Sequence, residues 1–262
     1  MKKKAIFFDI DGTLITRDNV FSEDDRQAME EAAGRGHFLF LNSGRSFANI
    51  PPALLDLPSL KGIAAGGGAH ILLASSPAGE TRFGTIYRKW ISEETLEKVF
   101  AWYGKQTKCC FLEGERDCYI INRTSRIELV RTPVPVKSLD DLKRKSGGDP
   151  ITKLTFDGFL SEEEYSLLEP DLTVNRFADY SEGIVKGENK AKAMGLILGH
   201  LGLRREDSIA IGDGQNDLDM IRFAGLGIAM GNACAELKAA AGAVTGDCGK
   251  GGVAEALRKF AP

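Results

Sequence analysis

The chain has 262 residues, of which 43% are hydrophobic and 27% charged, with a formal net charge of −3. A chain of this length usually exceeds what one core fills, so two domains are expected, and the composition excludes a disordered or fibrous protein. The scattered lysines and arginines leave no basic excess for a nucleic-acid backbone, and no apolar stretch approaches the roughly 18 uncharged residues of a membrane span.

Met1 to Lys4 carries the charge of a signal-peptide start, but Asp9 and Asp11 break the apolar run behind it almost at once. A cytoplasmic protein is therefore expected. Residues 4 to 8 form a nearly continuous apolar run, the pattern of a strand buried on both faces. Ser22 is placed to cap a following helix, with Asp25 three positions later, Met29, Ala32 and Ala33 at helical spacing, and Gly36 to end it. A second apolar run, His37 to Leu41, completes a strand–helix–strand unit of the kind that builds parallel sheets.

The middle of the chain has a different pattern. Strand-like segments are expected at 108–112, 118–122, 127–130, 151–156 and 172–176. Two amphipathic helices interleave with them, one over 92–106 with Leu96, Val99, Phe100 and Tyr103 on a stripe, the other over about 161–168. Turn residues at Glu113-Gly114-Glu115 and Gly147-Gly148-Asp149-Pro150 favour a mainly antiparallel α+β domain. Beyond it come a helix over about 189–201, an apolar run at 208–211, a helix over about 217–224, a run at 226–230 and short helices near 233–241 and 251–260. The two ends of the chain thus form one doubly wound α/β sheet, residues 1–82 and 186–262, interrupted by an insertion at about 83–185.

The cysteines (Cys109, Cys110, Cys118, Cys234, Cys248) form no CxxC pair, and His37, His70 and His200 lie far apart in sequence. Neither zinc nor dithiol chemistry is suggested, and both sets are expected to be structural, the cysteines as small buried hydrophobes.

Phe8-Asp9-Ile10-Asp11-Gly12-Thr13 places two carboxylates at the end of the first strand. In extended chain, residues i and i+2 point the same way about 6.5 Å apart, which leaves room for a phosphoryl group; a plain Asp-Gly turn would use the same residues. Ile209 to Asp217 forms a second apolar run that ends in Asp213 and Asp217 before a helix. In open parallel sheets, ligands bind at the carboxyl ends of strands, so the two acid clusters can meet at one crevice. Two like charges 4 Å apart repel by about 4 kcal/mol at an effective dielectric of 20. A divalent cation reverses that sign, and a donor set made only of oxygens favours Mg²⁺ over Zn²⁺. Ser43-Gly44, after the second strand, can offer O–H and N–H donors to phosphate. Lys190 stands at the start of a helix, where the dipole disfavours a cation unless an anion is near; Lys186 and Lys192 qualify on the same ground.

The order of these features along the chain resembles the four motifs of the haloacid dehalogenase (HAD) superfamily, and most closely its Cof-type branch with a large α/β cap, type IIB. The resemblance spans the whole core. It implies a Rossmann-like core with an inserted cap, and a Mg²⁺-dependent phosphatase acting on small organic phosphates, sugar phosphates foremost, through an aspartyl-phosphate intermediate. Asp9 would be the nucleophile and Asp11 the general acid/base. Asp9, Asp213 and the main chain of Asp11 would hold the metal, with Asp217 as an auxiliary acid. Ile10, Ser43, Gly44, Lys190 and Asn216 would bind phosphate, and the spacing of Lys190 from Asp213 selects it among the lysines. Ala229-Met230-Gly231-Asn232-Ala233 also matches this branch.

Two departures stand out. Ser43 replaces the usual Thr of the second motif, which keeps the hydroxyl, and Gly67-Gly68-Ala69 stands where many relatives have Asn-Gly-Ala. The same residues would also serve a phosphomutase or a non-catalytic phosphoacceptor module. The long insertion favours an enzyme over the latter.

Overall fold

The computed structural model describes residues 3–74, 83–105, 108–122, 127, 129–177 and 179–262. In chain order the strands are β1 (Ala5–Phe8), β2 (Phe38–Asn42), β3 (Leu60–Ala65), β4 (His70–Ala74), β5 (Phe83–Arg88), β6 (Cys110–Gly114), β7 (Cys118–Ile121), β8 (Val134–Pro135), β9 (Ile151–Asp157), β10 (Leu172–Arg176), β11 (Tyr180–Val185), β12 (Ser208–Gly212), β13 (Leu226–Ala229) and β14 (Ala243–Val244). The helices are α1 (Glu23–Gly34), α2 (Pro52–Leu55), α3 (Glu93–Tyr103), α4 (Leu139–Ser146), α5 (Glu162–Leu168), α6 (Lys190–Leu201), α7 (Leu218–Phe223), α8 (Ala235–Ala240) and α9 (Gly252–Phe260). The chain divides into two units. Met1–Gly44, Asp56–Tyr87 and Asn189–Pro262 form the first, Arg45–Leu55 and Arg88–Glu188 the second.

The first unit holds an eight-stranded sheet in the order β14-β13-β12-β1-β2-β3-β4-β5. Its neighbours from β14 to β3 are parallel, and β4 runs antiparallel to β3. All four β1 side chains are buried, as the unbroken apolar run requires of a strand covered on both faces. From β1 the chain winds outward through β2 and β3 on one side, and through β12, β13 and β14 on the other. The strand order therefore reverses between β1 and β12, the position where open α/β sheets form a crevice at their carboxyl ends. Helix α1 packs on α9, while α7 packs on α6 and α8. This is the doubly wound α/β sheet expected from the sequence.

One local expectation is corrected. Ser22 occupies the N-cap position of α1 but its side chain makes no capping hydrogen bond. Asp25, expected to support that cap, is buried and instead accepts the N–H of Ala254 at 2.8 Å. Helix α9 begins after Gly251, which has no side chain to satisfy the first-turn donors, so the acceptor comes from another helix.

The second unit holds a six-stranded sheet in the order β10-β11-β9-β6-β7-β8, antiparallel except for the β7–β8 pair. Leu112, Leu154 and Phe156 pack with Leu96, Val99 and Phe100 of α3 in its main core. Alternation along β6 turns Glu113 to the opposite face of the sheet. There its buried carboxylate meets Lys153 at 3.4 Å and accepts from Thr155 at 2.6 Å and from Ser46 at 3.0 Å. Lys153 also pairs with Glu182.

Helix α4 was not expected from the sequence. Of the strand expected at 127–130, Glu128 lies outside the described residues, and the others are not in a strand; β8 pairs with β7 at that edge. Cys109, Cys110 and Cys118 are buried, but Cys234 is exposed and Cys248 half-buried, so burial does not account for all five. His37 and His70 are buried, and His200 is exposed on α6.

Candidate active site

Parallel pairing aligns Phe8 of β1 with Ile211 of β12, and the N–H of Asp9 continues the ladder by donating to Ile211 at 3.0 Å. Asp9 and Asp213 therefore leave the sheet side by side, on either side of the point where the strand order reverses. One carboxylate oxygen from each of Asp9, Asp213 and Asp217 lies within 4.8 Å of the others. Asp11 is exposed, and its charge reaches Asp9 as one of the influences on its titration.

Lys190 joins this cluster from the first turn of α6. It is 3% exposed, and its ammonium donates to Asp9 Oδ1 and Asp217 Oδ1, each at 2.5 Å. Asn189 caps the helix by accepting from the N–H of Lys192 at 2.8 Å, and Asn42 at the end of β2 donates to the Lys190 carbonyl at 3.0 Å. Lys190 is thus fixed from both its own helix and the neighbouring strand. Lys186 instead pairs with Glu169 and Lys192 reaches Tyr87, which separates the three lysines.

The remaining oxygen of Asp217 accepts the N–H groups of Asp213 and Gly214 at 3.0 and 2.9 Å. That carboxylate is consumed in holding the loop after β12. Asp213 keeps a different environment. It accepts from Thr13 Oγ1 at 3.3 Å, and a Cβ built on Gly12, whose φ is +77°, would stand 2.3 Å from its Oδ2. Only glycine allows the two loops to come this close.

Burial raises Asp9 well above the usual carboxylate range, and the charges of Asp217, Asp11 and Asp213 push the same way against Lys190. Burial, followed by Asp217, pushes Asp213 up to about 6. Lys190 is raised, because the coulombic pull of Asp217 and Asp9 outweighs its large desolvation penalty. The cluster holds more negative charge than one lysine neutralises, and its donors are carboxylate oxygens, so the residues fit a hard divalent cation.

Ser43 is buried at the end of β2 and is bound on both sides by main chain, its N–H to Ala64 at 2.9 Å and its carbonyl from Gly67 at 3.0 Å. Gly67 has φ +64°, a left-handed conformation that asparagine also tolerates. The contact to Ser43 uses only the main chain of residue 67 and no side-chain atom. Gly44 is half-buried beside it. Ile10 is buried, and its carbonyl accepts the N–H groups of Thr13, Leu14 and Ile15 in the tight turn after β1. Asn216 is half-buried in the turn after β12, with its Oδ1 over the Cα of Gly214. Sequence reasoning gave no role to Asn42 or Thr13. A polar residue closing an apolar strand beside the second motif was the available signal for Asn42.

A family model described as haloacid dehalogenase-like hydrolase matches residues 6–257. The chain is 29% identical over 266 residues to YkrA of Bacillus subtilis, covering 99% of this chain and 98% of that protein. It is 27% identical over 257 residues to the 5-amino-6-(5-phospho-D-ribitylamino)uracil phosphatase YcsE of the same organism, covering 98% and 95%. Among solved structures, the HAD subclass IIB sugar phosphatase BT4131 superposes with a TM-score of 0.81 at 26% identity, covering 98% of this chain and 99% of that one.

Proposed function

Since the chain belongs to the haloacid dehalogenase-like hydrolases and is a phosphatase of that family, we propose that it hydrolyses small organic phosphate monoesters through an aspartyl-phosphate formed on Asp9, with Mg²⁺ as cofactor. The observation that carries this reading is the convergence of Asp9, Asp213, Asp217 and Lys190 at the strand-order reversal. Sugar and polyol phosphates lead as substrates, because BT4131 is a sugar phosphatase and YcsE acts on a phosphoribityl compound. The second unit, Arg45–Leu55 with Arg88–Glu188, corresponds to the insertion expected at about 83–185 and is the cap that selects the leaving group, while Phe83–Tyr87 belong to the core sheet. The enzyme works in the cytoplasm.

Asp9, Asp213 and the main-chain carbonyl of Asp11 would hold Mg²⁺, which when bound supplies positive charge that keeps Asp9 ionised and offsets charge on the transferring phosphoryl group. Asp217 is the auxiliary acid, since its two oxygens already serve Lys190 and the loop amides. Phosphate oxygens lie against the Ser43 hydroxyl, the amides of Gly44 and Ile10, the Asn216 amide and Lys190.

In the first step a carboxylate oxygen of Asp9 bonds to phosphorus, the ester P–O bond breaks, and Asp11 gives its proton to the departing alkoxide. In the second, Asp11 takes a proton from water as the water oxygen bonds to phosphorus. The acyl-phosphate bond breaks, Asp9 is restored and inorganic phosphate leaves. Asp11 suits the proton role because it is exposed and can exchange with both alcohol and water.

The test is release of p-nitrophenol from its phosphate by wild type and by Asp9→Asn, with and without Mg²⁺. Equal rates in the two proteins would remove Asp9 from the chemistry. A screen of phosphorylated sugars and polyols then ranks substrates.

A further inference from the structure

The stretch Ala229 to Ala233, distinctive in the sequence, has no part in the chemistry above. Its Asn232 is exposed, yet both ends of its side-chain amide are used. The Nδ2 donates to the Gly12 carbonyl at 2.8 Å and, more weakly, to Asp213 Oδ2 at 3.5 Å, while Oδ1 accepts the N–H of Cys248 at 2.7 Å. One exposed side chain thereby ties together the loops that follow β1, β12 and β14.

The peptide it grips is a poor one to leave unsupported. Gly12 has φ +77° and no side chain to limit its torsions, the N–H of the same peptide makes only a long bond from Thr13 to Ile10 at 3.3 Å, and its Cα lies against the Asp213 carboxylate. Asp213 is otherwise steered by Thr13 on Oδ1, and its carbonyl accepts the N–H of Cys234 at 3.0 Å. Asn232 itself is held through its neighbour, since the N–H of Gly231 donates to Gly246 at 2.8 Å and the Gly231 carbonyl accepts from Lys238.

We propose that Asn232 is a positioning residue that fixes the Asp213 carboxylate against the Gly12 peptide and so sets the affinity of the acid cluster for its cation. The inference rests on the reading of Asp9 and Asp213 as cation ligands. Partners that orient a ligating side chain typically change metal affinity by about 10- to 100-fold when removed. Asn232→Ala frees the Gly12 peptide and takes a donor from Asp213. Asn232→Asp, of the same shape, also places a second negative charge beside it.

The experiment titrates the full-length, metal-stripped protein with Mn²⁺ and follows the free ion by electron paramagnetic resonance. Asn232→Ala is expected to weaken Mn²⁺ binding by about tenfold, and Asn232→Asp to alter it by more than twofold, with thermal unfolding of both metal-free proteins near that of wild type. At saturating Mg²⁺ the Ala variant should recover most of the wild-type turnover. Binding by both variants within twofold of wild type overturns the inference. Asp213→Ala is the control: if it too binds Mn²⁺ as wild type does, the assignment of the cation site is wrong. If it alone loses binding, that assignment stands and only the role of Asn232 fails.

Discussion

Lys190 donates to Asp9 Oδ1 at 2.5 Å although 181 residues separate them in the chain, and the same ammonium bridges to Asp217. The lysine is the one cation placed between two buried carboxylates, among the described residues of this cluster.

Lys190→Met should remove most phosphatase activity, by more than about 100-fold, because Asp9 and the phosphate then lose the lysine counter-charge that acts beside the metal. Breaking a buried ion pair by deleting one partner typically costs about 3–5 kcal/mol. The metal-free variant should lose stability on that scale, or recover part of it as Asp9 takes up a proton. Chemical denaturation in EDTA, compared with the same measurement in Mg²⁺, reads both effects.

Asp213 makes the metal-free protein sensitive to pH in a definite direction. Its folded-state value of about 6 lies above the ordinary 3.8, so between them the folded form binds more protons than the unfolded one. Its contribution to stability is therefore largest at acid pH and is lost as pH rises through about 6. Denaturation midpoints in EDTA at pH 5 and 7.5 should show a smaller decline for Asp213→Asn than for wild type. Since a cation competes with that proton, Mg²⁺ affinity should weaken as pH falls below about 6.

His37 acts with the opposite sign. Burial, with the nearby charges of Arg35 and Lys4, lowers its titration, and its Nδ1 accepts the N–H of Lys4 at 3.1 Å, which requires the unprotonated nitrogen. The unfolded chain then binds the extra proton. Stability from this residue is complete above the usual histidine value of 6.5 and is lost as pH falls below it. His37→Asn, which keeps an acceptor without a titrating ring, should flatten the acid limb of the pH–stability curve.

Asp25→Ala should destabilise the protein by about 1–3 kcal/mol, the cost of leaving a buried donor unsatisfied, with little effect on turnover. Hydrogen exchange at Ala254 should accelerate, since that amide loses its acceptor.

The elements easiest to foresee were those governed by periodicity and chain ends. The apolar run of β1, the stop of α1 near Gly36 and the start of α6 near Asn189 were legible, because local residues decide them. Asp25 was misassigned because its partner lies on α9, where Gly251 leaves an acceptor to be supplied from afar. Helix α4 was missed because it is short and built largely of charged residues, with only Leu142 and Ser146 buried along with Asp141. The acids of the site were visible as strand-end motifs. Their spacing was not, since it depends on the parallel register of β1 with β12 and on the absence of a side chain at Gly12.

The central place of β1 has a consequence for biosynthesis. Its second neighbour, Ser208–Gly212, leaves the ribosome some two hundred residues after Ala5–Phe8, so an apolar strand waits over that interval with one hydrogen-bonding edge open. In that interval both segments of the second unit, Arg45–Leu55 and Arg88–Glu188, are synthesised. Until Ser208–Gly212 is made and pairs, the open edge of Ala5–Phe8 is an aggregation hazard of the nascent chain.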